Sequence, residues 1–273
     1  MRLCGVSGIH FLRRGEQIIL LFFIIELKSQ MQYKVSFLLT TLGQFLTAFT
    51  MFFGIKFLFG RISGVDDFTY GQVLLCFSVI MMSFSIGELA GGGLTVFSGM
   101  LREGDLDRIL VRPRSVIGQV IMPNMDFSRV GLLVQAAVVL GIAIPASGVQ
   151  WTWQKILVLG MMTVCGSVVF FCLFLLIAAL SFFTIQPLEC LNILTYGMRQ
   201  FGQYPFSVYG QKVLRLLTFV IPLALVQYYP LLYLLDRGDG ILYGFAPLAS
   251  LLFLIPVCAL YRVGLRNYQS TGS

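Results

Sequence analysis

The stretch REGDLDRILVRPRS, Arg102 to Ser115, decides how the rest of the chain is read. Half of its residues are charged (Arg102, Glu103, Asp105, Asp107, Arg108, Arg112 and Arg114), against 11% of the whole chain. Long apolar runs flank it on both sides. The 273 residues are 58% hydrophobic and include 25 Phe, and the mean hydropathy is +0.88. A soluble domain is about 45–50% apolar and about 25% charged. Both departures point to an all-α integral membrane chain. A helix needs roughly 20 apolar residues to cross a hydrocarbon layer about 30 Å thick. Residues 1–273 therefore form a single transmembrane domain of five or six crossings.

Working outward from the charged stretch, the second crossing precedes it at about Tyr70 to Leu89, closing on Glu88 and the glycines Gly91 to Gly93. The third follows it from about Val130 to Ile144, with Pro145, Ser147 and Gly148 marking a turn. The first crossing is about Val35 to Phe59, with Lys56 near enough to its end to reach the interface. Trp151 and Trp153 sit at a membrane–water boundary, and the fourth crossing runs from about Ile156 to Phe183. Upstream, Arg13, Arg14 and the apolar Ile18–Ile25 imitate a signal peptide, but Glu26, Leu27 and Lys28 follow where a small-residue cleavage site belongs. Residues 1–34 read instead as a cytoplasmic N-terminus with an interfacial helix over Glu16–Lys34.

Hydropathy then selects Val213–Leu235 and Gly244–Tyr261. Pro222 and Pro230 make the first of these a poor straight helix. Before it, Asn192, Thr195, Arg199 and Gln203 recur at spacings of three or four, one stripe along a helix. With the N-terminus inside, only Arg61, Lys155 and Arg237 among the basic residues fall outside, and Lys56 ends the first crossing. That bias places both termini and the charged segment, residues 99–129, in the cytoplasm.

Several chemistries are excluded. No GxxxxGK[ST] loop is present, so the chain carries no ATP site of its own and no cofactor is expected in it. GxSxG and HExxH are absent, and no catalytic residues are assigned. The lone His10 and six scattered Cys make no metal cluster. The net charge of +7 reads as membrane orientation, and no nucleic-acid partner is expected. Glu88 and Glu189 are the acids in or near the spanning segments; Glu88 is expected at headgroup level.

Within the charged stretch, Asp105 can cap a short helix whose Leu106, Ile109 and Leu110 share an apolar face, and Pro113 ends it. Mixed charge around such a helix suits a protein partner better than a lipid surface. The cytoplasmic pattern RxGxLDRxLxRPxS, with YPFSVYGQKVLRLLTFVIPLALVQYYPLLYLL (Tyr204–Leu235) and YRVGLRNYQSTGS (Tyr261–Ser273), resembles the membrane subunits of type-2 ATP-binding-cassette exporters, in a small bacterial permease branch. The resemblance runs from about Glu26 to the C-terminus. It implies six membrane helices, a second permease half (identical or paralogous), and a cytoplasmic ATPase that binds ATP and Mg. The charged stretch becomes the coupling helix, with Arg102, Glu103, Asp105, Leu106, Asp107, Arg108 and Arg112 as ATPase-docking residues. It also implies that Leu188–Tyr204 is crossing five and that Val213–Leu235 is a re-entrant hairpin on the outer side. That version moves Lys212 and Arg215 outward and sets Arg199 at membrane depth. Asn192, Thr195, Arg199 and Gln203 are then candidates for lining the translocation path. The substrate is not legible. An ion-coupled carrier or channel that needs no ATPase is the alternative.

Overall fold

The computed structural model describes residues 28–29, 32, 34–59, 68–184, 192–238 and 240–268. The expected interfacial helix (apart from Lys28, Ser29, Gln32 and Lys34), the first outer loop, Glu189 and the last five residues lie outside the described residues. All regular elements among the described residues are helical. Helix α1 is Lys34–Phe59. Helix α2, Tyr70–Gly91, continues through a 3-10 turn at Gly92–Val96 into α3, Phe97–Arg102. The charged segment follows as α4, Asp105–Leu110, and α5, Val116–Ile121. Then come α6, Val130–Ala146, and α7, Trp153–Leu180. A π-helical turn at Ile193–Gly197 leads into α8, Met198–Phe201. The chain finishes with α9, Gln211–Phe219, α10, Leu223–Val226, α11, Tyr228–Leu234, α12, Ile241–Ser250, and α13, Leu254–Arg266.

Five of these stretches are long and apolar enough to cross a membrane: Lys34–Gly54, Tyr70–Arg102, Phe127–Ala146, Trp153–Leu180 and Ile241–Arg266. The second is longer than expected, 33 residues instead of a helix closing at Leu89. The glycines do not stop it. They tighten it, because Gly93 lets the chain of α5 lie against the rod; a Cβ there would come within 2.9 Å of the Ile121 carbonyl oxygen. The charged segment is thereby joined to α2 by nearly continuous helix.

The centre of the bundle is the crossing of α2 and α7. Small residues line it: a Cβ on Gly166 would meet Ser83 Oγ at 2.4 Å, and one on Gly87 would meet Phe170 Cβ at 2.7 Å. Ser83 Oγ donates across the gap to the Thr163 carbonyl at 3.3 Å. In lipid, where tails are as apolar as leucine, such close backbone approach is what holds helices together. Around the seam, Phe84 and Phe170 pack edge-on at 5.3 Å, and both are fully buried. Helix α6 joins by the same device, its Ala146 carbonyl lying where a Cβ on Gly71 would stand. Gly131 does likewise for the Thr41 carbonyl of α1.

Contacts sort the ends of the bundle. Phe68, Tyr70, Ala146 and Trp153 share one end, and Asp236 joins them through a 2.8 Å ion pair with Lys155. Arg237 lies over the Phe68 ring at 5.6 Å. At the opposite end, α13 packs on α7 and on the charged segment: Gly264 touches Phe182, and Tyr261 lies near Phe97.

Between the ends, the stretch from Asn192 to Asp236 makes one net crossing. Tyr196 reaches Glu88 near the charged end, Gly202 lies against Ile80 at mid-bundle, and Asp236 emerges at the far end. The expected crossing five, Leu188–Tyr204, is described only from Asn192, and its helix stops at Phe201. Gln211–Phe219 and Leu223–Leu234 are bent by 88°, as Pro222 between them predicted. Chain that leaves a helix inside a bundle needs other hydrogen-bond partners. Buried Gln227 supplies them, its Nε2 donating to the Gly202 and Tyr204 carbonyls at 2.7 and 3.1 Å.

Because α2 and α7 nearly touch at Gly166, Gly166→Val forces the backbones apart. The expected cost is about 1–3 kcal/mol, read as a lowered midpoint in thermal unfolding of the detergent-solubilised protein. Gly160→Ala on the same helix, with open space around its Cβ position, should leave the midpoint unchanged.

Candidate functional site

Two regions gather the polar residues of this apolar chain. The first is the charged segment. Gly104 adopts φ 74°, a left-handed conformation that glycine takes without strain, and so turns the chain from α3 into α4. Gly104, not Asp105, occupies the N-cap of α4. Asp105 instead makes a weak surface pair with Arg108 at 3.7 Å. Leu106 is 0% exposed and Ile109 is buried with it, both plugged into the same core cluster as Phe97, Phe174 and Tyr261. Gln119 of α5 closes the far end of α4, donating to the Ile109 and Arg114 carbonyls at 3.4 and 3.2 Å. At the C-terminus of α13, burial and the nearby Asp107 carboxylate raise the Tyr268 hydroxyl above its ordinary pKa.

This clamping corrects one expectation. Leu106 was assigned to the docking face, but it points inward because α4 is a single amphipathic turn and a half, whose apolar side the core takes. The outward face carries Arg102, Glu103, the largely exposed Arg108, and Arg112 to Arg114. Leu110 is also exposed, and Val111 is 86% exposed. An apolar tip ringed by arginines is thus held out on a braced platform.

The second region is an ionic cluster inside the bundle. Glu88 stands 18 residues beyond Tyr70, about 27 Å along the helix at 1.5 Å per residue. Its side chain is 3% exposed, enclosed by the surrounding helices. Its Oε1 accepts from the Tyr196 hydroxyl at 2.9 Å and pairs with Arg129 Nη1 at 3.4 Å. Arg129 is held in turn by Asp126, Nε to Oδ2 at 3.1 Å. One turn deeper, the Arg199 guanidinium lies over the Phe84 ring at 4.8 Å and the Tyr196 ring at 5.8 Å. Tyr196 and Arg199 are presented by the π turn and α8, and the wider π turn is a recurrent feature of functional sites.

Of the expected stripe, Arg199 and Gln203 come together and the others do not. They line a small cavity of about 60 Å³ with Gln200, Met81, Leu132, and Gln44 and Thr47 of α1. Gln203 donates to Gln200 beside it. Thr195 is buried and donates to the Asn192 carbonyl at 3.3 Å, while Asn192 is exposed. The π turn carries an extra residue, so a register drawn for an α-helix drifts across it. Gln44, Thr47, Tyr196 and Arg129 were not singled out as site residues. Gln44 and Thr47, three apart in a strongly apolar helix, were the available signal. No group of three or more metal-ligating side chains occurs among the described residues.

A seam-packed helical bundle, a braced charged platform and a buried ionic cluster agree with the match to a known family. The family model for an ABC-2 family transporter protein covers residues 45–272. The chain belongs to this family. It is a multi-pass membrane protein and the permease component of an ATP-binding-cassette transporter, a family that implies an ATP-binding partner subunit. Comparison with curated proteins and with solved structures gave no significant match.

Tyr196 donates directly to the Glu88 carboxylate, so the contributions of the two residues should be coupled. In a double-mutant cycle of Tyr196→Phe and Glu88→Leu, which removes the acceptor, the coupling expected is about 1–2 kcal/mol, measured by chemical unfolding in detergent. Additive effects would show that the buried contact contributes nothing.

Proposed function

We propose that this permease is one half of an exporter, driven by a separate cytoplasmic ATPase that binds ATP and Mg and docks on the α3–α5 platform. The platform carries the reading. A short helix with Leu106 and Ile109 anchored in the core and Val111 held out among Arg108, Arg112 and Arg114 is built to meet a protein surface. Arg102, Glu103, Arg108, Arg112 and the tip at Leu110 and Val111 make the contact. Asp105 and Asp107 flank it, and Leu106 transmits force from beneath.

The route inward is short. The second span and the first helix of the platform, α3, form one rod from Tyr70 to Arg102, and that rod bears Glu88, Phe84 and Ser83. Nucleotide-driven closure of the ATPase would bias the rod between two arrangements. The basic bias puts the platform and both termini in the cytoplasm, in a bacterial inner membrane. The full chain acts as one permease domain without catalysis or cofactor of its own. The bent Gln211–Leu234 segment serves as the outer re-entrant hairpin. A second half, identical or paralogous, completes the path against the exposed apolar face of α1, which displays Leu38, Leu42, Leu46 and Phe53.

The test is affinity purification of the tagged chain from its native membrane. Wild type should bring down an ATPase in stoichiometric amount. Arg108→Glu with Val111→Asp, both exposed positions, should lose it by at least about tenfold while the protein stays folded. Leu106→Asp should instead lower yield, since it buries a charge. A well-behaved preparation with no ATPase in any sample would favour an ion-coupled carrier, for which Glu88 is the candidate coupling group.

A further inference from the structure

Arg199 is the one guanidinium of the ionic cluster without an acceptor. Arg129 has two carboxylates, Glu88 and Asp126, whereas Arg199 makes no hydrogen bond or ion pair among the described residues, and its buried Nε is unpartnered. Two aromatic rings cover part of its surface. Such contacts offset only part of the desolvation that a half-buried guanidinium incurs. The nearby Glu88 carboxylate attracts the cation without pairing with it directly. Its Oε1 is already shared between Arg129 and Tyr196, and its Oε2 is left without a partner.

What faces Arg199 instead is space. The cavity of about 60 Å³ that it lines has amide and hydroxyl groups on two walls, Gln44 and Thr47 from α1 and Gln200 and Gln203 from its own segment, with Met81 and Leu132 closing the apolar side. A fixed cation, several hydrogen-bonding groups and an apolar lining together fit a small charged oxyacid group borne on an apolar body. We infer that Arg199 anchors a binding site for an anionic group, phosphate or carboxylate, of the molecule being moved. This deepens the transport reading and rests on it for the word "moved"; the anion site itself does not. The planar guanidinium can hold such a group through two parallel N–H donors, as an ammonium cannot. Gln44 and Gln203 complete its ring of donors, and α1 becomes one wall of the site.

The experiment uses the full-length chain in nanodiscs of phosphatidylcholine, without ATPase, and measures the affinity of two probes by titration calorimetry. One probe is inorganic phosphate and the other is dihexanoyl phosphatidic acid. Saturable binding of the lipid alone assigns the site to an amphipathic anion. Binding of both assigns it to a soluble oxyanion as well. In either case Arg199→Gln should weaken binding by about tenfold or more, and Arg199→Lys should weaken it less. Gln44→Leu should weaken it severalfold without touching the Glu88 cluster, and it serves as the readout if Arg199→Gln does not fold. Binding unaltered in both Arg199→Gln and Gln44→Leu, or no binding of either probe to wild type, overturns the inference. Because no ATPase is present, a failed co-purification with retained Arg199-dependent binding would sink the exporter reading and leave the anion site standing. The converse result would sink the anion site alone.

Discussion

The close crossing of α2 and α7 is the constraint on which the other features depend. Ser83 and Gly166 bring two backbones near enough for a side chain to bond across to the Thr163 carbonyl. In water the expulsion of apolar surface would force helices together, but in lipid that drive is missing and contact must come from fit. Once α2 is fixed on α7, its length determines what happens elsewhere. It runs on past Gly91 to Arg102, and the turn at Gly104 then brings α4 and α5 back against the end of the bundle, where Leu106, Ile109 and Val120 join its core. Its inner third carries Glu88 into the reach of Arg129 and Tyr196.

Much of this was legible in the sequence. Apolar run length set the number of helices, and the positions of α1, α6 and α7 fell within a few residues of expectation. The density of charge between Arg102 and Ser115 marked the platform, and Pro222 within Val213–Leu235 marked a broken segment. The illegible parts share a physical cause. Whether a glycine run ends a helix or admits a neighbour depends on what lies against it, and Ile121 against Gly93 is a tertiary fact. Similarly, Leu106, Ile109 and Leu110 read as one apolar face, but the core takes two of them and leaves the third outside. Of the stripe read by spacing, Arg199 and Gln203 share one small cavity. Thr195 and Asn192 were mislaid because the π turn alters the period on which that spacing rests.

The buried ionic cluster sets a further condition on how the bundle can move. Glu88 sits on α2, Arg129 just before α6, and Tyr196 and Arg199 on the fifth segment. Three elements therefore meet on one carboxylate. Sliding α2 relative to its neighbours would separate charges in a medium of low dielectric, where a bare ion costs several kcal/mol. Any rearrangement must therefore carry α2, the start of α6 and the π turn together, or else offer each charge a new partner. The unpartnered Oε2 of Glu88 and Nε of Arg199 are groups through which such an exchange could run.

These features give the molecule one continuous mechanical element with different chemistry at its two levels. At the platform, side chains are exposed, charged and screened, so each contributes little on its own. Inside the bundle they are enclosed and few, so each is strong and each unsatisfied group matters. The α2–α3 rod joins the two without a flexible linker, since its only irregularity is a 3-10 turn pinned by α5. A displacement at the platform therefore reaches Glu88, four residues before Gly92, with little loss. That short path separates this architecture from one in which the charged loop merely hangs from the membrane helices.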